Sequence, residues 1–352
     1  MIRNEEQTLL TNKKDFNEHL HQWYHKYHRK LPWRSEPSVY KTVISEFMLQ
    51  QTQVDTVLPY FKRWLEVFPN FEVLAKANEE DVVKQWEGLG YYSRARNLHK
   101  LAKEIIHKKE IPKTPQEWLQ FPGVGPYTAA AITSIAFGEP AAVVDGNVIR
   151  ILTRLTANKN EFKDNSSAVK ALTPLANALL NPNDPNTHNQ AVMELGATVC
   201  MRANPLCTIC PVVSFCAGAK YGIAEQLPKL MPKKTEQIVL DRIWVVHEGK
   251  LLLNKIASNA KRLANMYELP ERNGDLRELI SEKEKPWVIK KRGISNQRIQ
   301  ENIYKPSTSP TLEILKTIEG QTNIEWIAIS KLNSITLSGP HKRWINELIG
   351  HS

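Results

Sequence analysis

Cysteine is scarce: the 352-residue chain has four, all between Cys200 and Cys216. That excludes a disulfide framework spread through the fold and assigns the thiols to one site. No apolar run approaches the roughly 18 residues needed to cross a bilayer, and Met1 to Phe16 is polar and charged, without an apolar h-region. The expectation is a soluble, cytoplasmic protein with no membrane contact. No internal repeat and no low-complexity tract is found.

What the chain has is length and positive charge. Its 352 residues suffice for two or three domains with a sizeable core. A formal net charge of +10 and a pI near 9.3 suit a polyanionic partner.

The stretch that organises the rest is Leu119 to Ala131, a glycine hairpin between two helical patterns. Upstream, Thr114-Pro115-Gln116-Glu117 reads as a helix start with an N-cap threonine, proline at the first position and a glutamate that completes a capping box. Downstream, Pro126 opens a small-residue helix. Gly123 and Gly125 let the backbone turn sharply and bring its N–H groups, with a helix N-terminus, against an anion. That is how a helix-hairpin-helix holds a DNA phosphate; an ordinary helix–turn–helix link is the plainer alternative.

Two carboxylates flank this hairpin in sequence. Glu46 lies in Tyr40 to Val54, whose apolar positions recur at three- and four-residue spacing as in a buried helix. Burial among Ile44, Phe47, Met48 and Leu49 would raise its pKa and keep it a proton donor; a solvent-facing or arginine-paired glutamate is the alternative. Asp145 follows an apolar approach and begins the next helix, where capping N–H groups and the helix dipole favour its ionised form. An ionised Asp145 opposite a protonated Glu46 would be the split pair used to cleave glycosidic bonds.

Other helical patterns cover 16–30, 54–68, 79–88, 93–107, 166–182 and 187–200. Tyr91 and Tyr92, at a glycine turn beside Arg94 and Arg96, combine flat rings with cations that can stack on bases; a half-buried helix start reads equally well. The thiols arrive as Cys200-x6-Cys207-x2-Cys210-x5-Cys216. Structural zinc commonly uses paired C-x2-C knuckles, whereas one such pair without histidine also fits a cubane iron–sulfur cluster.

A basic, proline-punctuated linker separates a helical region, 1–225, from a smaller one, 239–352, with the linker itself at 226–238. Beyond it, 240–246 and 250–255 read as strands joined at His247-Glu248-Gly249. Further strands are expected at 287–291, 298–304 and 324–330, and helices at 308–318 and 338–349, giving a small α+β domain.

The ordered set of motifs resembles the MutY family of adenine DNA glycosylases, within the helix-hairpin-helix and iron–sulfur glycosylase superfamily. It comprises Leu31-Pro32-Trp33-Arg34, Ser45 to Gln53, Gly88 to His99, Pro122 to Thr128, Val144 to Val148 and the cysteine spacing, through about residues 20 to 220. The resemblance implies a mainly α N-terminal region, a helix-hairpin-helix six-helix barrel plus an iron–sulfur cluster domain, followed by a Nudix-like α+β domain. It implies a [4Fe-4S] cluster on Cys200, Cys207, Cys210 and Cys216. The implied partner is double-stranded DNA with adenine opposite 8-oxoguanine or guanine, met by a monomer.

The family's roles carry over where residues match. Glu46 corresponds to the general acid and Asp145 to the carboxylate that stabilises or transiently bonds the sugar cation, while Tyr127 and Asn147 assist around the sugar and water. Gln51 and Tyr91 correspond to side chains that intrude into the duplex, and Arg34 and Gln190 to contacts around the flipped base. Relatives that also cut the strand place a lysine after the hairpin; here Gly125 is followed by Pro126-Tyr127, which predicts base removal without efficient strand cleavage. In the second domain, Leu263 to Pro270 resembles the Nudix-like signature with tyrosine for tryptophan, and the clustered glutamates of a pyrophosphohydrolase are absent. The lesion-reading Phe-Ser-His of the family is matched best by Ile294-Ser295-Asn296, so only Ser295 persists, and opposite-base specificity is expected to be retained but reduced. An oxidised-pyrimidine glycosylase and lyase, and a non-catalytic redox-sensing DNA-binding protein, are the competing readings.

Overall fold

The computed structural model describes residues 2–350 except 233, 261, 282, 295 and 307–322. The expected helix at 308–318 therefore lies outside the described residues, as does Ser295. The chain divides into two compact units, one of Met1–Lys76 with Asn97–Pro232, the other of Ala77–Arg96 with Lys233–Ser352. Among the described residues no helix is long and apolar enough to cross a membrane.

The chain up to the second unit's strands is helical: α1 (Ile2–Thr11), α2 (Lys13–Tyr27), α3 (Pro32–Ser35), α4 (Val39–Leu49), α5 (Val54–Val67), α6 (Phe71–Lys76), α7 (Glu79–Gln85), α8 (Ser93–Ile105), α9 (Pro115–Trp118), α10 (Pro126–Phe137), α11 (Gly146–Leu155), α12 (Asn165–Leu179), α13 (Pro185–Thr198) and α14 (Ala217–Lys220). Reading the pattern from Phe16 missed α1, whose buried Leu9 joins Phe16 and Leu20 in the core. Local chemistry sets the helix starts. Ser38 Oγ accepts from the Lys41 N–H at 3.2 Å to begin α4. Thr114 and Glu117 form both halves of the expected capping box at α9.

The apolar faces of α2, α10, α11, α12 and α13 meet in one core. Helix α11 is buried from Val148 to Leu155, and α10 packs small residues, Ala129 to Ser134, against α4 and α13. Small side chains let helix axes approach closely, which draws the start of α10, the start of α11 and the middle of α13 together. A short parallel pair, β1 (Glu161–Phe162) with β2 (Lys229–Leu230), closes this unit.

In the other unit, β3 (Glu236–Ile243), β4 (Val246–His247), β5 (Lys250–Lys255), β6 (Tyr267–Glu268), β7 (Val288–Ile294), β8 (Gln297–Tyr304) and β9 (Ile324–Ala328) form two sheets, with α15 (Gly339–Ile349) against them. One sheet has the order β3-β8-β7, with β3 parallel to β8 and β7–β8 an antiparallel hairpin. The other pairs β5 with β4, β6 and β9. The expected strand 240–246 is thus split between sheets. The Trp244 N–H donates to the Tyr304 carbonyl at 2.7 Å, and the Leu252 N–H to the Val245 carbonyl at 3.0 Å, so the chain changes sheet there. Trp244 enters one core and Val245 the other.

Candidate active site

Glu46 projects from α4 between Ser45 and Phe47, in a run where Val43, Ile44, Phe47 and Met48 are fully buried. The residue is 6% exposed. One oxygen, Oε2, has no hydrogen-bond partner. Burial raises its pKa to about 7 and the nearby Asp145 charge pushes the same way, against a hydrogen bond from Tyr127 and the Arg34 charge. The structure thus resolves the first alternative: Glu46 is neither solvent-facing nor tied up by arginine.

Tyr127 is the second residue of α10, placed by the hairpin that precedes it. Its buried hydroxyl hydrogen-bonds Glu46 and lies 3.1 Å from Met193 Sδ. Burial first, then the charges of Glu46 and Asp145, hold this phenol far above its usual pKa. Of the two hairpin glycines, only Gly123 has a left-handed backbone, φ +78°, and a Cβ there would come within 2.8 Å of Asn97 Cβ. Gly125 is the extended N-cap of α10, with no side-chain cap bond. The sharp turn is therefore the work of Gly123 alone.

Asp145 caps α11. Oδ1 accepts from the Asn147 and Val148 N–H groups at 2.9 and 2.8 Å, and Oδ2 from Asn147 Nδ2 at 3.1 Å. The sequence reading has the capping N–H groups favour the ionised form of this carboxyl, and they do act in that direction. Burial acts the other way and is the larger influence, so the net shift is upward, with the capping N–H groups and Arg150 offsetting it in part. Both carboxyls are thus raised, but Asp145 has three N–H donors where Glu46 has one hydroxyl. The larger number of donors on Asp145 favours the negative charge there over Glu46.

Asn147 is held in turn. Its Oδ1 accepts from Arg150 at 2.9 Å, and Arg150 also donates to the carbonyls of Gly196 and Cys200 at 2.8 and 2.7 Å. A Cβ on Gly196 would lie 2.7 Å from Asn147 Cβ, so glycine there lets α13 pass close to the start of α11.

These groups line a cleft of about 580 Å³ that brings together Glu46, Asp145, Tyr127, Asn147, Arg34 and Gln190, within the usual size of a small-ligand site. One of its walls and one residue that supports it escaped the sequence reading. Glu194, buried on α13, takes Arg29 Nε at 2.7 Å and Arg34 at 3.0 Å. Burial pushes its carboxyl up, but the bonds and charges of Arg29 and Arg34 outweigh this and lower its pKa. Behind the lining stands Tyr24, whose hydroxyl donates to Gln190 Oε1 at 3.1 Å while Arg34 lies over its ring. The available signal was a glutamate four residues after Gln190 on an otherwise apolar helix face.

Gln51 and Tyr91 stand elsewhere. Gln51 follows α4 as an exposed residue in the left-handed region, φ +56°. Tyr91 belongs to the other unit, 48% exposed with φ +49°.

Cys200, Cys207, Cys210 and Cys216 are free thiols that line one cavity with Arg154. Among the described residues no three His, Cys, Asp or Glu side chains form a tight group for a single metal ion. Burial and the other three thiolates push Cys210 up to about 12, and Arg154 donates to Cys200 Sγ at 3.2 Å. Four thiols around one cavity suit a group with several metal atoms, and the buried guanidinium beside them favours their thiolate forms.

The model for the HhH-GPD superfamily of base excision DNA repair proteins matches residues 44–175. The adenine DNA glycosylase of Buchnera aphidicola subsp. Acyrthosiphon pisum is 35% identical over 68% of this chain and 69% of its own length. The Homo sapiens adenine DNA glycosylase is 44% identical over 60% of this chain and 41% of its own. The chain spans less than half the length of the fungal and mammalian relatives it matches. Among solved structures, a thermostable thymine-DNA glycosylase superposes with a TM-score of 0.54 at 27% identity, over 60% of this chain and 98% of that one.

Proposed function

The chain belongs to the MutY-type adenine DNA glycosylase family, within the HhH-GPD superfamily, and on that premise we propose that it hydrolyses the N-glycosidic bond of adenine opposite 8-oxoguanine or guanine in double-stranded DNA. The observation that carries this reading is Glu46: a buried carboxyl with a bare oxygen and a pKa near 7, in the same cleft as a hydrogen-bonded Asp145. Adenine leaves poorly as an anion, so Glu46 protonates the ring as the bond to the sugar breaks. Asp145 then faces the sugar cation, stabilising it or bonding it transiently, until water adds and the abasic site departs. Asn147 orients Asp145, and Tyr127 holds Glu46 in the direction of the base.

The adenine must leave the stack to reach this cleft. Arg34 and Gln190, fixed by Glu194 and Tyr24 respectively, contact the flipped base, while Gln51 and Tyr91 enter the duplex. Gly123, Gly125 and the uncapped N-terminus of α10 accept a backbone phosphate. The cations lining the cleft, among the described residues, are Arg29, Arg34, Arg150 and Arg202, without a lysine. Arginine forms no imine with the sugar, which supports base removal without efficient strand cleavage.

Cys200, Cys207, Cys210 and Cys216 would hold a [4Fe-4S] cluster, whose chemistry here is to cross-link the 200–216 segment. The 233–352 part of the chain is proposed as the Nudix-like reader of the opposite base. Its strands β7 and β8 pair as far as Ile294 with Gln297, and in the sequence between them the Phe-Ser-His of the family is reduced to Ser295.

The test is a base-excision assay on duplexes with adenine opposite 8-oxoguanine, guanine or cytosine, worked up with and without alkali. Adenine release opposite 8-oxoguanine and guanine, with strand breaks only after alkali, is expected. Strand cleavage without alkali as fast as base loss would place the chain with the lyases, and equal rates for all three duplexes would refute opposite-base reading.

A further inference from the structure

The loop that presents Tyr91 is strained. Gly88, Gly90 and Tyr91 have φ of +108°, +70° and +49°, three left-handed residues in four. Glycine adopts that region freely, but a tyrosine there costs on the order of 1–2 kcal/mol. Something inside must hold the loop in place, since the Tyr91 ring itself is 48% exposed.

Arg94 does so from below. It is 6% exposed, and its guanidinium donates to the carbonyls of Leu89 and Gly90 at 3.1 and 3.0 Å. The same planar group lies over two rings, 5.3 Å from the Trp86 centroid and 5.6 Å from that of Tyr91. Trp86 Nε1 adds a third donor to the loop, reaching the Gly90 carbonyl at 3.2 Å, and the Tyr92 hydroxyl accepts from the Gly88 N–H at 3.3 Å. All of these residues lie within Ala77–Arg96.

We infer that Arg94 is a positioning residue for base extrusion: its guanidinium fixes the Gly88–Tyr91 loop and the direction of the Tyr91 ring, so that the ring enters the duplex already ordered. This rests on the reading of Tyr91 as a side chain that intrudes into DNA. The geometry explains why arginine stands there. Both carbonyls accept from one nitrogen, Nη2, whose guanidinium plane also lies over two aromatic rings; a lysine ammonium can donate but has no plane to stack on either ring. A pre-ordered ring avoids the entropy of immobilising it during binding. Loss of the guanidinium should therefore appear in binding and extrusion and spare the bond-breaking step.

The test uses the full chain and Arg94→Lys, Arg94→Gln, Trp86→Phe and Tyr91→Ala, each checked by thermal melting. A duplex with a non-hydrolysable 2′-fluoro adenosine opposite 8-oxoguanine and 2-aminopurine next to it reports unstacking by fluorescence. Single-turnover rates are compared between the mispaired duplex and one whose adenine is bulged and already extrahelical. Two hydrogen bonds from a charged donor are lost, so Arg94→Lys and Arg94→Gln should raise the DNA concentration for half-saturation on the mispair about tenfold and diminish the fluorescence rise. Trp86→Phe should shift both in the same direction by less, and the rates on the bulged substrate should stay within about twofold of wild type. Unchanged fluorescence and half-saturation in Arg94→Lys, Arg94→Gln and Trp86→Phe would overturn the proposal, as would an equal loss on bulged and mispaired substrates, which marks a general scaffold residue. If Tyr91→Ala leaves the fluorescence rise intact, the intrusion reading itself fails.

Discussion

Two buried glutamates, one in each unit, are treated in opposite ways. Glu301, in the α/β unit, is wholly buried: burial pushes its pKa up, yet the His341 hydrogen bond and the guanidinium groups of Arg242 and Arg292 pull it down to about 2. Glu46, in the helical unit, is as dry but receives one hydroxyl and keeps a bare oxygen, so its pKa rises to about 7. Burial is common to both, and the partners decide the charge. A buried carboxylate saturated with cations is a structural element; one left short of donors holds a proton that it can give away.

The largest effect that can break this contrast is kinetic. Glu46→Gln removes the proton donor while keeping the shape, and a loss of about 10²–10⁴-fold in single-turnover adenine release is expected, as for a general acid. Asp145→Asn keeps the α11 cap but removes the charge facing the sugar, with a loss on the order of 10²–10³-fold. Full adenine release in both amide variants would refute the assigned mechanism.

Stability should split the two glutamates in sign. Glu301→Gln leaves two buried guanidinium groups undercompensated and should cost about 3–5 kcal/mol in denaturant unfolding at neutral pH. Glu46 works the other way. Its folded pKa is above its unfolded value, so its contribution is fully present below about pH 4.5 and is lost as pH rises through about 7. Glu46→Gln should therefore be more stable than wild type at pH 8, by at most about 3 kcal/mol, with the difference vanishing near pH 4.5. A Glu46→Gln protein less stable than wild type at pH 8 would mean that the native carboxylate is satisfied. A smaller test concerns the support of Asp145. Gly196→Ala puts a Cβ 2.7 Å from Asn147 Cβ, and should cost roughly 1–3 kcal/mol by overpacking, with slower base release at a temperature where the fold persists.

What sequence made legible was local. The Thr114–Glu117 capping box, the Gly123 turn, the Asp145 cap and the burial of Glu46 all follow from residues a few positions apart. What it missed needed long-range packing. Arg29 and Arg34 meet Glu194 across some 160 residues, and no short pattern pairs them. The upward shift of Asp145 has the same origin, because capping reads from three residues but burial depends on how the surrounding helices close over them. Likewise β3 shows alternation on its own, while its parallel pairing with β8 and the grouping of Ala77–Arg96 with the strands are decided by the whole chain.

The most direct measurement of the central claim, that Glu46 is a protonated acid at work, is the pH dependence of single-turnover adenine release from a duplex carrying adenine opposite 8-oxoguanine. With saturating enzyme, the wild-type rate should fall about tenfold for each pH unit above about 7, as Glu46 loses its proton, and Glu46→Gln should lack that limb altogether. A wild-type rate that stays level from about pH 6 to about pH 9, or a Glu46→Gln profile that keeps the same descending limb, would contradict it.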